Sequence, residues 1–449
     1  MLEIKVNTSL KNEFLYVCSV IFDEWLNIPY RIQYEHNINE IYVSFENKLL
    51  IFNADFWTKN EFDLLKSLPK NVCFHELPFT SEKDIVCLFG NDFFEQTENS
   101  IRCGVDIFAS VFFMLSRWEE LTIDQRDNDN RIPAKACMSA KYDFLHRPVV
   151  DEWIEFIWNC LKALGFTLER KEHSHNFNLS CDVDNPFDPA IRNFSYLFKS
   201  IVGDLFKRKT LKSACERIKN YFLSRLISDN YDPVYSFDWL IELAKRNNLT
   251  MTFYFIAENK EVRNGTYSIE NKKIIELFKK INQNKHEIGL HGSYQSYNSE
   301  KRLFHEQKKI NFILEKNAIS QQIINSRQHY LRWDSKITPD LLNHIGIEMD
   351  STGGYADLPG YKYGTCKDFS MWSWKKNEKL KLKQRPLIVM DATYMDKEFL
   401  NLGNDESLKE KILYFKKLSL KYGNFNLLWH NDRLKSQKEK EILTYIVEN

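Results

Sequence analysis

Glycine and proline are scarce in this chain of 449 residues, at 14 and 11. With aromatics at 14%, that shortage excludes a collagen-like or broadly disordered chain. Charge of one sign is missing too: 62 Lys and Arg stand against 62 Asp and Glu. A protein built as a whole to grip nucleic acid carries a basic surplus, so no nucleic-acid partner is expected. The nine cysteines are odd in number and form no Cys-x-x-Cys pair. Zinc-ribbon and thioredoxin readings lose their basis, and free thiols are the simpler expectation. No apolar run approaches the roughly 18 residues of a membrane helix. The stretch MLEIKVNTSLKNEFLYVCSVIFDEWL is broken by Glu13, Asp23 and Glu24, unlike a signal peptide. A cytoplasmic location is expected.

What is present is an apolar share of 43%, enough for a large core and, at this length, two to three domains. The pattern divides near residue 175, and each half is expected to carry its own core. Residues 1–175 mix strand-like runs (Glu40–Phe45, Lys48–Phe52, Asp84–Phe89) with two amphipathic helices, Asp106–Leu121 and Val150–Leu164. Between these helices QRDNDNRIPAKACMSAKYDFLHRP reads as a long polar loop, and KEHSHNF (171–177) as a linker.

Residues 176–449 alternate regularly. Strands are expected at Phe177–Cys181, Met251–Ile256, Glu287–His291, Ile323–Ser326, Ile347–Asp350, Leu387–Asp391 and Phe425–His430, with helices between most of them. Seven such strands predict parallel α/β architecture. Polar residues at so many C-terminal strand ends favour a closed or nearly closed (β/α) barrel, whose active site is built at that rim. One insertion, at about 193–231, interrupts the beat. It is helical and basic, with Lys207, Arg208, Lys209, Lys212, Arg217, Lys219 and Arg225 against Asp204 and Glu216. Such a stretch is either a solvated helix face or a docking surface for an anionic membrane or polyanionic substrate.

The chemistry-bearing residues sit at the strand ends. Asp182 and Asp184 alternate in NLSCDVD, so both aim at one space, where two carboxylates repel unless a cation or proton intervenes. In KHEIGLHGSYQ, His286 and His291 face opposite sides of a strand; His291, at its end, is the better ligand and His286 the structural one. Arg327-Gln328-His329-Tyr330 follows another strand, and Leu428-Trp429-His430 ends the last.

Taken in order, the paired aspartates, His-Glu-Ile-Gly-x-His, Arg-x-x-Tyr and the late Leu-x-His resemble the polysaccharide deacetylase family (carbohydrate esterase family 4, the NodB-homology domain), over about residues 177–435. The first half, with FFMLSRWEE and RPVVDEW, resembles an uncharacterised accessory domain of one bacterial branch of these proteins. The resemblance implies a distorted seven-stranded barrel, one bound divalent metal with zinc expected, and hydrolysis of acetyl groups on a sugar or polysaccharide. Asp182 would be general base, Asp184 and His291 metal ligands, Arg327 the residue orienting Asp182, Asp350 an approximate match to the fourth motif, and His430 general acid. Tyr330, Trp429 and Tyr355 would contact substrate.

Two departures stand out. The position four after His291 is Gln295 where the family has histidine, and His329 stands where it has proline. His329 could supply the missing nitrogen ligand, Ser293 or Gln295 an oxygen, or His329 could simply hydrogen-bond in the groove wall. The aromatic stretch Tyr355–Trp374 reads as a long loop that either walls the groove or packs on its own account. The survival of Asp182, Asp184, His291, Arg327 and His430 favours an enzyme. Gln295 favours a non-catalytic carbohydrate-binding or assembly protein, and hydrolysis of another C–N bond, such as a cyclic amide, stays open.

Overall fold

Period-two burial builds the first sheet. β1 (Leu2–Val6) buries Leu2, Ile4 and Val6, and β3 (Glu40–Phe45) buries Ile41, Val43 and Phe45, with polar residues between them. These strands join β2 (Tyr30–Tyr34), β4 (Lys48–Asn53), β7 (Gly90–Gln96) and β8 (Ser100–Val105) in the order β2-β1-β3-β4-β8-β7. A separate antiparallel pair is formed by β5 (Cys73–His75) and β6 (Ile85–Cys87). The computed structural model describes residues 1–58, 68–172, 175–259, 261, 263–265, 267–403 and 406–449. Part of the expected 171–177 linker, His173 included, lies outside the described residues.

The second sheet contains β9 (Phe177–Val183), β10 (Thr252–Ile256), β11 (Glu287–Gly292), β12 (Asn325–Gln328), β13 (Met349–Asp350), β14 (Phe369–Ser373), β15 (Glu378–Gln384), β16 (Val389–Met390) and β17 (Phe425–Leu428). Their order is β14-β15-β13-β12-β11-β10-β9-β17-β16. β9 to β13, β16 and β17 overlap the seven expected strands, and every pairing among them is parallel. Strand pairing does not close this sheet into a ring among the described residues: β13 and β16 are bridged only at loop level, by the Leu387 N–H donating to the Gly353 carbonyl (3.1 Å). The architecture is mixed α/β.

Two sequence expectations are corrected. The helix expected over Asp106–Leu121 stops after Leu115; Arg117 turns left-handed (φ 52°) and the chain restarts as a short 3-10 turn, Trp118–Leu121. A buried guanidinium must find partners for its donors. The turn aims Arg117 at Glu119 (2.8 Å), Glu120 (3.2 Å), the Tyr355 hydroxyl (2.8 Å) and the Lys362 carbonyl (2.5 Å). The second correction concerns Tyr355–Trp374, expected as loop throughout: it ends in a strand, and of its two readings packing is the one that holds, since none of it lines the cavity of the candidate residues. It docks against the first half and runs into the unexpected hairpin β14–β15, where Leu380, Leu382 and Gln384 are buried alternately between exposed lysines.

Asp151, of the RPVVDEW segment, is the centre of that docking. Fully buried, it accepts from the Thr365 hydroxyl (2.9 Å), the Cys366 N–H (2.9 Å) and the Lys367 ammonium (3.0 Å). Nearby, the Tyr16 hydroxyl and the Trp25 indole donate to the Ser370 and Asp368 carbonyls, each at 3.0 Å. Apolar packing follows the same seam, as in Phe112 against Trp372 (5.5 Å between rings). The largest cluster of buried apolar side chains therefore runs through both halves, with two small clusters beside it. No disulfide joins the nine cysteines. No helix among the described residues is long and apolar enough to cross a membrane.

Replacing Asp151 by Asn keeps the shape but leaves the Lys367 ammonium buried beside a neutral amide. Breaking one partner of a buried pair costs about 3–5 kcal/mol. Asp151→Asn should lower the thermal midpoint by several degrees in a calorimetric scan, while Lys375→Ala, at an exposed site, leaves it unchanged.

Candidate active site

Alternation along β9 sends Leu179, Cys181 and Val183 into the apolar core and Ser180 and Asp182 toward the interior of the parallel sheet, with Asp184 just beyond. There Arg327, fully buried at the end of β12, donates to Asp182 Oδ1 (2.8 Å), Ser180 Oγ (3.0 Å) and both the carbonyl and hydroxyl of Ser351 (2.9 Å each). Its guanidinium lies over the Tyr254 ring at 4.5 Å. Tyr254 faces Gly289 across β10–β11, and any side chain at 289 would overlap that ring. Glycine on one strand thus makes room for the ring that supports the arginine that fixes the carboxylate.

Asp184, His291 and His329 present ligand atoms within 4.8 Å of one another. His291 Nε2 and His329 Nε2 each lie 3.3 Å from Asp184 Oδ1. The Arg327 carbonyl sits 2.9 Å from His291 Nδ1, so that nitrogen carries the proton and Nε2 turns a lone pair toward Asp184. Asp184 Oδ1 and His291 Nε2 are buried without a hydrogen bond. Facing each other in this way, the two need a cation or a proton between them. One carboxylate and two imidazoles also fit a zinc-like ion with positions left for water. Burial disfavours ionisation of Asp184, but the His329 and His291 imidazoles overcome it and hold the carboxyl well below its usual range. For His329 burial prevails over Asp184 and lowers the pKa, which keeps the ring neutral as a ligand must be.

His430 approaches from β17. Its Nδ1 is 2.7 Å from Asp391 Oδ1, and its backbone N–H donates to Asp391 Oδ2, also at 2.7 Å. Nε2 faces Asp184 Oδ2 at 3.9 Å. Burial works against the proton, yet Asp391 foremost, then Asp184 and Asp182, push the imidazole up to about 10. Asp391 was noted in the sequence only as a strand-end aspartate; its role beside His430 needed the structure, because the two are 39 residues apart in sequence.

Six expected residues, Asp182, Asp184, His291, His329, Tyr330 and His430, line one cavity of about 460 Å3. Arg327 stands behind Asp182, as expected of an orienting residue. Three expectations are corrected. Asp350, expected to be catalytic, turns its carboxylate to the Ser326 hydroxyl (2.7 Å) and to Thr352 and does not line the cavity; the contact with His430 belongs to Asp391. Trp429, one residue before His430, is fully buried in the core and cannot meet substrate. Tyr355 is buried against Arg117, away from this cavity. Gln295 is exposed and outside the ligand cluster, and His286 accepts from the Met251 N–H, a structural role.

The polar loop of the first half reaches this cavity, which the sequence did not reveal. Asp129 accepts from the Tyr294 hydroxyl (3.1 Å), pairs with Arg263 and offers its carbonyl to Arg332 (2.9 Å). Arg131 pairs with Asp127 (2.7 Å) and donates to the Tyr330 carbonyl (2.8 Å). Tyr330 and Leu331 are consecutive left-handed residues (φ 61° and 55°). Such strain costs of order 1–3 kcal/mol per residue and survives only where surroundings enforce it. Arg131 is one of those enforcers. The only signal was compositional: QRDNDNR is denser in charge than a spacer needs.

The sequence profile of a family of unknown function (DUF7033) matches residues 2–165. No curated protein matches the chain. Among solved structures, a candidate polysaccharide deacetylase from Mycobacterium smegmatis is similar with a TM-score of 0.39 and 15% identity, over 62% of this chain and 84% of that one. PuuE allantoinase gives 0.37 and 12%, over 61% and 82%. A further candidate polysaccharide deacetylase, from Pseudomonas aeruginosa PAO1, gives 0.35 and 13%, over 61% and 83%. These likenesses are loose, and the chemistry of this chain rests on its own side chains.

Two measurements follow from this geometry. When zinc is titrated into metal-free protein, His329→Ala should weaken binding about as much as His291→Ala, by roughly 10-fold or more, while Gln295→Ala should leave it unchanged. Calorimetric titration checks this without any substrate. The second concerns Glu306, buried beneath the loop after β11, where it accepts from the N–H (3.0 Å) and hydroxyl (2.5 Å) of Ser293. Burial raises its pKa to about 7 against an ordinary 4.5. Between those values the folded state binds the proton that the unfolded state has lost, so stability falls as pH rises through the window. Glu306→Gln should flatten that part of the stability–pH profile.

Proposed function

We propose that this protein is a metal-dependent hydrolase that removes an acetyl group from an acetylated sugar, of a cell-surface polysaccharide or its precursor. The observation that carries this reading is the convergence, in one cavity, of a three-ligand cluster (Asp184, His291, His329), an arginine-held carboxylate (Asp182–Arg327) and an aspartate-held imidazole (His430–Asp391). The order of the parallel strands supports a distorted barrel, with residues 1–175 as the accessory unit docked beside 176–449. Zinc is the metal favoured by the donor set, and the nine unbridged cysteines are consistent with a cytoplasmic location.

When bound, a divalent ion there polarises the acetyl carbonyl and lowers the pKa of water. Asp182, held in place by Arg327, takes the proton of the attacking water as its oxygen bonds to the acetyl carbon. His430, protonated by virtue of Asp391, passes its proton to the amine as the C–N bond breaks. Acetate and a free amino sugar leave. Tyr330 and Phe399 offer ring faces to a sugar in the same cavity, among Arg131, Lys397 and Arg433. The non-catalytic alternative draws on Gln295; a candidate ligand cluster that includes His329 weighs against it.

Acetate release from a panel of acetylated amino sugars, with and without a chelator, tests the reading. Asp182→Asn and His430→Ala should each lose roughly 10²–10⁴-fold in kcat with the fold intact. Asp391→Asn should shift the acidic group controlling kcat to lower pH. Near-normal turnover in folded Asp182→Asn would remove the base from its role.

A further inference from the structure

The helices between the first and second strands of the parallel sheet carry a surface that the proposed chemistry does not use. Of the 26 large apolar residues exposed on the described molecule, 12 fall between Phe194 and Tyr231. They are ordered. The helix Phe194–Val202 exposes Phe194, Phe198 and Val202, every fourth residue, and Phe206 continues the stripe; Leu197 is turned inward. The helix Leu211–Leu226 exposes Leu211, Ile218, Phe222 and Leu226, at spacings of seven, four and four, while Ala214 and Ser224 face in. Phe206, Leu211 and Leu226 are more than 70% exposed. Ordinary soluble helices do the reverse and bury such a stripe.

Charge is arranged around the stripes. The stretch 193–231 holds eight Lys and Arg against Asp204, Glu216 and Asp229. Asp204 is fully buried and consumed by Arg208 (2.5 Å), in the bend, and Arg217 (2.6 Å), whose tie closes the second helix onto the first segment. Lys207, Lys209, Lys212 and Lys219 are exposed and form no ion pair among the described residues. Lys212 and Lys219 are a helical turn or two apart, on the flank of the second stripe, and Lys207 and Lys209 sit at the bend between the helices. An apolar stripe edged by unpaired lysines suits an anionic lipid surface, where rings and aliphatic chains enter the headgroup boundary and ammonium groups meet phosphates.

We infer that residues 194–226 form an amphipathic helical hairpin that docks this protein on an anionic membrane surface. The commitment to lipid over a second copy rests on charge: two copies meeting stripe to stripe would bring like-charged lysine borders together. The hairpin leaves the sheet only four residues after Asp184, at Asp188, so it springs from the same rim as the cavity. Docking is independent of the hydrolytic reading and persists if that reading is wrong.

Flotation with vesicles of phosphatidylcholine, with and without phosphatidylglycerol, tests it on the full chain. Wild-type protein should float with the anionic vesicles and be released by added salt. Lys207→Glu and Lys209→Glu should each weaken binding at least roughly fivefold. The exposed Phe198→Ser/Phe206→Ser/Leu226→Ser triple variant should abolish flotation while keeping the wild-type melting curve and acetate-releasing activity on soluble sugars. Wild-type protein that stays unbound at low salt overturns the inference. So does a stable dimer that the same triple variant converts to monomer, which would make the stripe a contact between copies. Wild-type protein that floats but releases no acetate would count against the hydrolase and leave docking standing.

Discussion

A guanidinium almost wholly withdrawn from water organises the candidate site. Arg327 has lost nearly all of its hydration, so its donors have to be met by protein, and the groups that meet them come from two strands and a loop: Ser180 and Asp182, the ring of Tyr254 beneath, and Ser351. Moving any of these leaves a buried charge partly unpaired, the most expensive defect an interior can hold. Its own carbonyl then fixes the tautomer of His291. One residue therefore sets the orientation of Asp182 by its side chain and of His291 by its backbone.

The second half was largely legible because its information is periodic and local. Helices such as Thr338–His344 and the seven parallel strands follow from runs of apolar residues bounded by polar ones, and strand ends announce the rim. His329 could be singled out for the same reason, as an imidazole two residues beyond Arg327. What the sequence withheld is tertiary. The pairing of His430 with Asp391, the position of Asp350 outside the cavity, and the burial of Trp429 and Tyr355 depend on which way a strand end turns, and no local pattern records that. The hairpin β14–β15 was hidden because its alternation is between leucine and lysine, on an otherwise polar background.

The two motifs quoted from the first half acquire a physical meaning. Arg117 with Glu119 and Glu120, and Asp151, are buried charges whose partners are Lys362, Tyr355, Thr365 and Lys367 of the second half. Residues that look like a signature are the polar bolts of an interface, each too costly to bury alone. Because the same half also sends Asp129 and Arg131 to the cavity, seating the first half and shaping the pocket are a single event.

The pairing of β17 with β9 has a kinetic meaning. Asn178 and Asn426 meet across it through their side chains at 2.7 Å, although 248 residues separate them. Until β17 arrives, β9 is an open parallel edge bearing Asp182, with its hydrogen-bonding groups unpaired. Contacts this distant in sequence form late and slowly, and an unsatisfied edge recruits whatever strand is near. An intermediate lacking β17 would lack His430 at the cavity and would keep an open, adhesive edge. The strand that brings His430 to the cavity is also the one that covers that edge.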